Sequence, residues 1–221
     1  MEQFISFFGE SDPTNVSTSV KLLLLLTVLS LAPSILILMT SFARIIIVLS
    51  FTRTALATNT MPPNQVLIGL ALFLTFFIMA PTFQQVNDQA LQPLFNEEIG
   101  IEEAYDRASA PFKEFMAKHT RQEDLELFMN YSQAERPETI QDIPLTMLVP
   151  AFALSEIKTA FQIGFMIFIP FLVIDMVVAS VLMSMGMMML PPVMISLPFK
   201  ILLFVLVDGW YLVVKSLLQS F

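Results

Sequence analysis

The chain has 221 residues, 56% of them hydrophobic and only 14% charged, where an ordinary soluble domain is about a quarter charged. It contains no cysteine, which excludes disulfides and thiolate metal sites, and its net charge of −8 argues against nucleic acid as a partner. This is the composition of an integral membrane protein, and the pattern below predicts an all-α one.

Residues 1–20 read as a polar lead-in. They carry Glu2, Glu10 and Asp12 and no base, so they lack the basic start of a secretory signal peptide. Residues 21–83 are expected to form a first apolar helical hairpin. Leu22 to Ala43 is an uncharged run of 22 residues, long enough to cross a bilayer and kinked at Pro33. Arg44 and Arg53 follow, then a turn at Met61–Gln65, then a second apolar run, Val66–Ala80, closed by Pro81.

Residues 84–149 are the acidic part of the chain. Between Gln84 and Ile143 there are thirteen acids and five bases, which accounts for the whole net charge. Good helix formers predict two or three short helices there, broken at Pro111 and Pro137, with Ile101, Ala104, Tyr105 and Ala108 on one face. The single histidine, His119, lies in this solvated segment. Residues 150–221 are expected to form a second apolar hairpin, with runs from about Pro150 to Met183 and from about Pro198 to Leu218. The expected architecture is therefore about four long apolar helices in two hairpins, around one helical acidic segment. Arg44, Arg53 and Lys200 fall on one side of the membrane, so the positive-inside rule puts both termini and the acidic segment outside the cell.

The second hairpin is expensive in lipid. Glu156, Lys158, Asp175, Lys200 and Asp208 interrupt it, and each mid-membrane charge costs about 2.5–3.5 kcal/mol unless paired or hydrated. Such a hairpin is expected to be buried in an assembly or to line a watery path. Lys200 is expected to meet Glu156 of a neighbouring copy, with Asp175 as the rival partner in the same chain.

Between the two runs lies MSMGMMMLPPVM, Met183–Met194: six methionines in twelve residues, with one glycine, two prolines and no charge. Thioethers are apolar, unbranched and adaptable. The loop is a seal, a soft-metal site for Cu(I), or plain packing. No cysteine or nearby histidine supports the metal reading. For enzymes the signals are poor. There is no phosphate-cradling GxxxxGK[ST] loop. Asp175 and Asp208 reach similar heights in an antiparallel hairpin and could share a proton, but FVLVDGW lacks the glycine-framed motif that intramembrane aspartyl proteases carry. No catalytic residue, metal or cofactor is expected.

Four blocks carry a resemblance: SFARIIIVLSFTRTAL (Ser41–Leu56), PPNQVLIGLALFLTFFIMAP (Pro62–Pro81), PAFALSEIKTAFQIGF (Pro150–Phe165) and SMGMMMLPPVMISLPFKILLFVLVDGW (Ser184–Trp210). They resemble the FliP family of flagellar type III export gate proteins, whose relatives in virulence injectisomes are the SctR proteins. The closing DGWYLVVKSLLQSF favours the flagellar branch. Where many members have glycine this chain has Ala57, which predicts ordinary backbone angles there.

The resemblance implies a ring of about five copies with FliQ-like and FliR-like subunits, in the flagellar basal body of the bacterial cell membrane. FlhA-like and FlhB-like export components and membrane lipid are the other partners. Unfolded flagellar subunits pass through the centre, driven by proton-motive force and the other export components. The methionine loop is implied to be a gasket around the closed pore, here Met185, Met187, Met188 and Met189. Hydropathy alone gives four plain spans, whereas the family implies helical hairpins that sit largely above the usual membrane plane.

Overall fold

A computed structural model describes residues 33–132, 139–187 and 189–221, with Leu23, Leu26, Thr27, Ser30, Leu31 and Pro137 besides. The lead-in at residues 1–20, the charged residues Glu135, Arg136 and Glu138, and Met188 lie outside the described residues. Among the described residues every regular element is helical.

Residues 1–37 form one compact unit and residues 38–221 another. In the first, Leu23, Leu26, Leu31 and Ile35 are exposed. Thr27 and Ser30 donate their hydroxyls to the carbonyls of Leu23 and Thr27, each at 2.8 Å. A helix that satisfies its own hydroxyls leaves an apolar surface, as lipid requires.

The second unit contains α1 (Phe42–Ala55), α2 (Asn64–Val86), α3 (Gln92–Phe95), α4 (Ile101–His119), α5 (Gln122–Ser132), α6 (Leu145–Ser184), α7 (Pro192–Leu206) and α8 (Gly209–Gln219). A π-helical turn, Asn87–Leu91, joins α2 to α3, and a 3-10 turn, Ile140–Asp142, precedes α6. Among the described residues two continuous helices are long and apolar enough to cross a membrane, Asn64–Phe95 and Leu145–Ser184; the number rises to four if each bent pair of shorter helices is one span. The chain is thus an all-α membrane protein.

Packing centres on α1. Ile45, Val48, Leu49, Thr52 and Ala55 are buried at helical spacing. The helix lies against α6, where Phe51 meets Phe161 edge-on with ring centroids 5.1 Å apart. Gly164 permits the approach, since a Cβ there would fall 2.6 Å from a Phe51 ring carbon. Arg44, which follows the first uncharged run, therefore belongs to a core helix.

The acidic segment folds onto the start of α6. Met116 of α4 packs with Ile143, Leu148 and Phe152, and Phe112, Phe115 and Leu125 surround them. Ser155 donates to Asp124 at 2.7 Å and accepts from the Arg121 backbone N–H at 3.0 Å, fixing α5 to α6. The Thr139 hydroxyl and N–H both donate to Asp142, at 2.6 and 3.0 Å. They close the 3-10 turn and hold the Asp142 carboxyl below its ordinary range.

Three expectations fail locally. Pro81 and Pro111 do not end helices but lie inside α2 and α4. A proline in a helix removes one backbone bond and kinks it, at a cost of ~3 kcal/mol, and tertiary packing outweighs that here: Pro111 is buried. Ile101, Ala104, Tyr105 and Ala108 do share one face of α4, with Ala104 buried and Ile101 and Tyr105 exposed. The fourth apolar run is broken into α7 and α8, which meet at a bend of 63°. Asp208 takes a left-handed conformation there (φ 51°). Gly209 is required at the bend, because a Cβ would sit 2.2 Å from the Phe204 ring.

Ala57 is the third. Its φ is +58°, the left-handed region that favours glycine. The Ala57 N–H bonds the Thr54 carbonyl at 2.9 Å and the Thr58 N–H bonds the Arg53 carbonyl at 3.4 Å. This is a Schellman ending, with alanine where glycine is usual. The expectation of ordinary angles fails because the helix-end bonds, not the residue, dictate the conformation. Ala57→Gly is expected to stabilise the chain by about 0.5–1 kcal/mol, the left-handed penalty less the entropy cost of glycine. The readout is the thermal unfolding midpoint in micelles; an unchanged or lowered midpoint rejects the strain.

Candidate functional site

The methionine loop is built by two helix ends. At the close of α6, Gly186 has φ +76°. Its N–H bonds the Met183 carbonyl at 3.1 Å and the Met187 N–H bonds the Leu182 carbonyl at 3.0 Å. This Schellman ending turns the chain out of the helix. Pro192 then opens α7 as its first residue, a position where the missing N–H costs nothing. The loop between is short, and its described methionines are exposed. Met183, Met185 and Met187 are exposed, and Met189 is 99% exposed.

Next to it, Val177, Met185, Met187, Phe199 and Leu202 line an open apolar groove of about 740 Å³ between α6 and α7. Ser180 and Ser184 donate to the carbonyls of Met176 and Val181 within α6. The result is a deformable surface with almost no free polar group.

The charges expected in this hairpin divide into two pairs and two exposed residues. Glu156 is fully buried on α6 and receives Arg44 of α1 on both oxygens, Nε to Oε2 at 2.9 Å and Nη2 to Oε1. Arg44 Nη1 also donates to the Ser220 carbonyl at 2.6 Å and to its hydroxyl at 3.0 Å. Lys200 of α7, also buried, donates to Asp175 at 2.6 Å and to the Ala55 carbonyl at 3.2 Å. Ser196 donates to the other Asp175 oxygen at 2.5 Å. Lys158 and Asp208 are exposed.

The expected Lys200–Glu156 pair between copies is therefore replaced by two pairs inside one chain, with Asp175 as the partner of Lys200. The reason is the C-terminal end of α1: its Ala55 carbonyl and the Asp175 carboxylate together give Lys200 two acceptors within the chain. Asp175, engaged by Lys200 and Ser196, is not free to share a proton with Asp208. Among the described residues no three of His, Asp and Glu gather as a metal site.

Sequence reasoning missed Arg44, Ser196 and the Asp124–Ser155 contact. A signal for Arg44 existed: it is a lone base at the head of the apolar run FARIIIVLSF. A charge in such a run needs a partner wherever it is placed. Its position also alters the orientation count. Arg44 bonds Ser220 near the chain's end, so it does not lie with Arg53 and Lys200 on the opposite side.

These features define a class: a polytopic helical membrane protein with its buried charges paired and a soft apolar loop exposed. A family model described as "FliP family" matches residues 25–217. The flagellar biosynthetic protein FliP of Bacillus subtilis is 76% identical over 221 residues, covering all of both chains. Its namesake from Caulobacter vibrioides is 56% identical over 91% of this chain and 76% of its own length. That of Aquifex aeolicus is 54% identical over 94% of this chain and 87% of its own length.

The chain belongs to the FliP family. It is a flagellar export gate protein, a transport component and not an enzyme. These relatives are flagellar, so the injectisome and copper readings are not favoured.

Proposed function

We propose that this chain is a pore-forming subunit of the gate in the flagellar basal body, and that its methionine loop seals the pore. About five copies assemble with FliQ-like and FliR-like subunits, dock FlhA-like and FlhB-like components, and pass unfolded flagellar subunits. The observation that carries the reading is the contrast within one hairpin. Its buried charges are satisfied inside the chain, while Met183, Met185, Met187 and Met189 project from the turn.

A seal that closes on itself yet yields to unlike polypeptides needs apolar side chains with many accessible rotamers, and methionine supplies them. Dewetting of an apolar constriction blocks ions without a fixed plug. The long exposed apolar faces of α6 and α7, from Leu154 to Met183 and from Val193 to Leu206, are the surfaces left for neighbouring subunits.

The test is co-purification and complementation. Expressed with FliQ-like and FliR-like chains, the protein is expected to elute as one complex holding several copies of itself. In a flagellated host lacking its own FliP-family gene, it is expected to restore release of hook or filament protein. A chain that stays single in the presence of those partners and restores no export overturns the proposal.

A further inference from the structure

A cleft of about 450 Å³ opens where α2, α4 and the end of α8 meet, a size within the range of small-molecule pockets. Its two ends differ in chemistry. At one end Phe77 and Ile78 of α2 and Leu218 of α8 form an apolar wall. Phe77 and, one turn earlier, Phe73 are exposed, and both belong to a helix long and apolar enough to cross a membrane. The apolar end is therefore continuous with a lipid-facing surface. At the other end α4, part of the acidic segment, contributes Glu114 and Lys118. An occupant of the whole cleft has to be an amphiphile, with its apolar part on α2 and its polar group at α4.

The charges define that polar group. Glu114 and Lys118 stand four residues apart, an order that favours pairing along a helix, yet the Glu114 carboxylate makes no hydrogen bond or ion pair among the described residues. Lys118 turns Nζ to the Phe221 carbonyl oxygen at 3.4 Å, which engages one of its three N–H groups. His119 faces the carbonyl oxygens of Phe115 and Phe221 at 2.8 and 3.4 Å, and α2 adds only the uncharged Thr82 and Gln85. The cleft thus offers one carboxylate and one ammonium. A purely anionic ligand would be repelled by Glu114 and a purely cationic one by Lys118. A headgroup that carries both signs satisfies both.

We propose that this cleft binds a phospholipid with a zwitterionic, amine-bearing headgroup, Lys118 taking the phosphate and Glu114 the ammonium. The acyl chains run outward over Phe77 and Phe73, along the exposed face of α2. Both headgroup contacts are charge-assisted hydrogen bonds, the stronger kind. An ammonium with its own N–H groups donates to Glu114 directly, which a glycerol headgroup of net negative charge cannot replace.

The test gives the purified chain, in mild-detergent micelles, equal amounts of phosphatidylethanolamine and phosphatidylglycerol with matched acyl chains. Bound lipid is counted by native mass spectrometry. Phosphatidylethanolamine is expected to be retained about 5-fold over phosphatidylglycerol, the weight of one interfacial charge. Glu114→Gln is expected to bring the two to parity, and Lys118→Gln to weaken both. Glu102→Gln changes an exposed acid of α4 outside the cleft and is expected to keep the preference. If Glu102→Gln abolishes the preference as Glu114→Gln does, the net charge of −8 merely repels the anionic lipid and the site is overturned. Glycerophosphoethanolamine, the headgroup without chains, is expected not to compete; equal competition overturns the lipid as occupant. Equal retention of the two lipids by the unaltered chain overturns the proposal outright.

Discussion

Arg44→Ala is expected to destabilise the chain by ~3–5 kcal/mol, because it leaves a buried carboxylate without its counter-charge. Glu156 is inaccessible to solvent and bonds Arg44 through both oxygens. The same substitution removes the donor at 2.6 Å from the Ser220 carbonyl, so the residues after α8 lose an anchor at the same time. Glu156→Ala should cost a similar amount by stranding the cation.

The pair replaced together, Arg44→Met with Glu156→Leu, should recover most of the loss. Removing both charges removes their desolvation penalty along with their attraction. Unfolding of all three variants in one detergent gives the comparison. A loss below ~1 kcal/mol from either single substitution is the behaviour of a hydrated surface pair, and would sink the account of Arg44 as a buried strut.

The second large effect is on conductance. Replacing Met187, Met188 and Met189 together with alanine is expected to leave the assembled gate intact and to make it leak. Met187 and Met189 face outward from the turn, so alanine removes apolar bulk without opening the α1–α6 core. Gly186 sets the backbone of the turn and is unchanged.

Ions or small dyes crossing the membrane, scored against complex yield in the same cells, separate the two live readings of the loop. A seal predicts normal yield with a leak; packing predicts low yield. Leucine at the three positions should leak less and export more slowly, because a branched side chain fills space but adapts poorly. A triple alanine variant that assembles, holds ions and exports normally eliminates the seal.

The sequence disclosed what depends on local composition. Apolar run length located α2 and α6, and charge density located the acidic segment. Methionine density with Gly186 and Pro192 located the loop, because a left-handed glycine and a proline at a helix start act within a few residues. What stayed hidden depends on packing over long separations. Pro81 and Pro111 read as breaks because a proline's cost is local, whereas its compensation comes from other helices.

Arg44 and Glu156 are 112 residues apart, and nothing within either segment specifies the other. The partner of Lys200 was ambiguous for the same reason: Ala55 competes as an acceptor from 145 residues away. Family resemblance located the candidate seal but was silent on these internal pairs.

The exposed apolar surface of α6 runs from Leu154 to Met183. At ~1.5 Å per residue that is ~45 Å, against a hydrocarbon layer of ~30 Å. Tilt alone cannot hide the excess, since it would require an inclination near ~48°, beyond the ~40° limit seen for transmembrane helices. A solitary copy must therefore kink at Pro170, thicken the lipid around it or leave apolar helix in water. Each ångström of mismatch carries a penalty, and subunits standing side by side share it. The length of α6 thereby acts as an association signal in its own right, independent of any specific contact. It also gives a practical forecast: single copies should be retained better in thick bilayers than in thin ones.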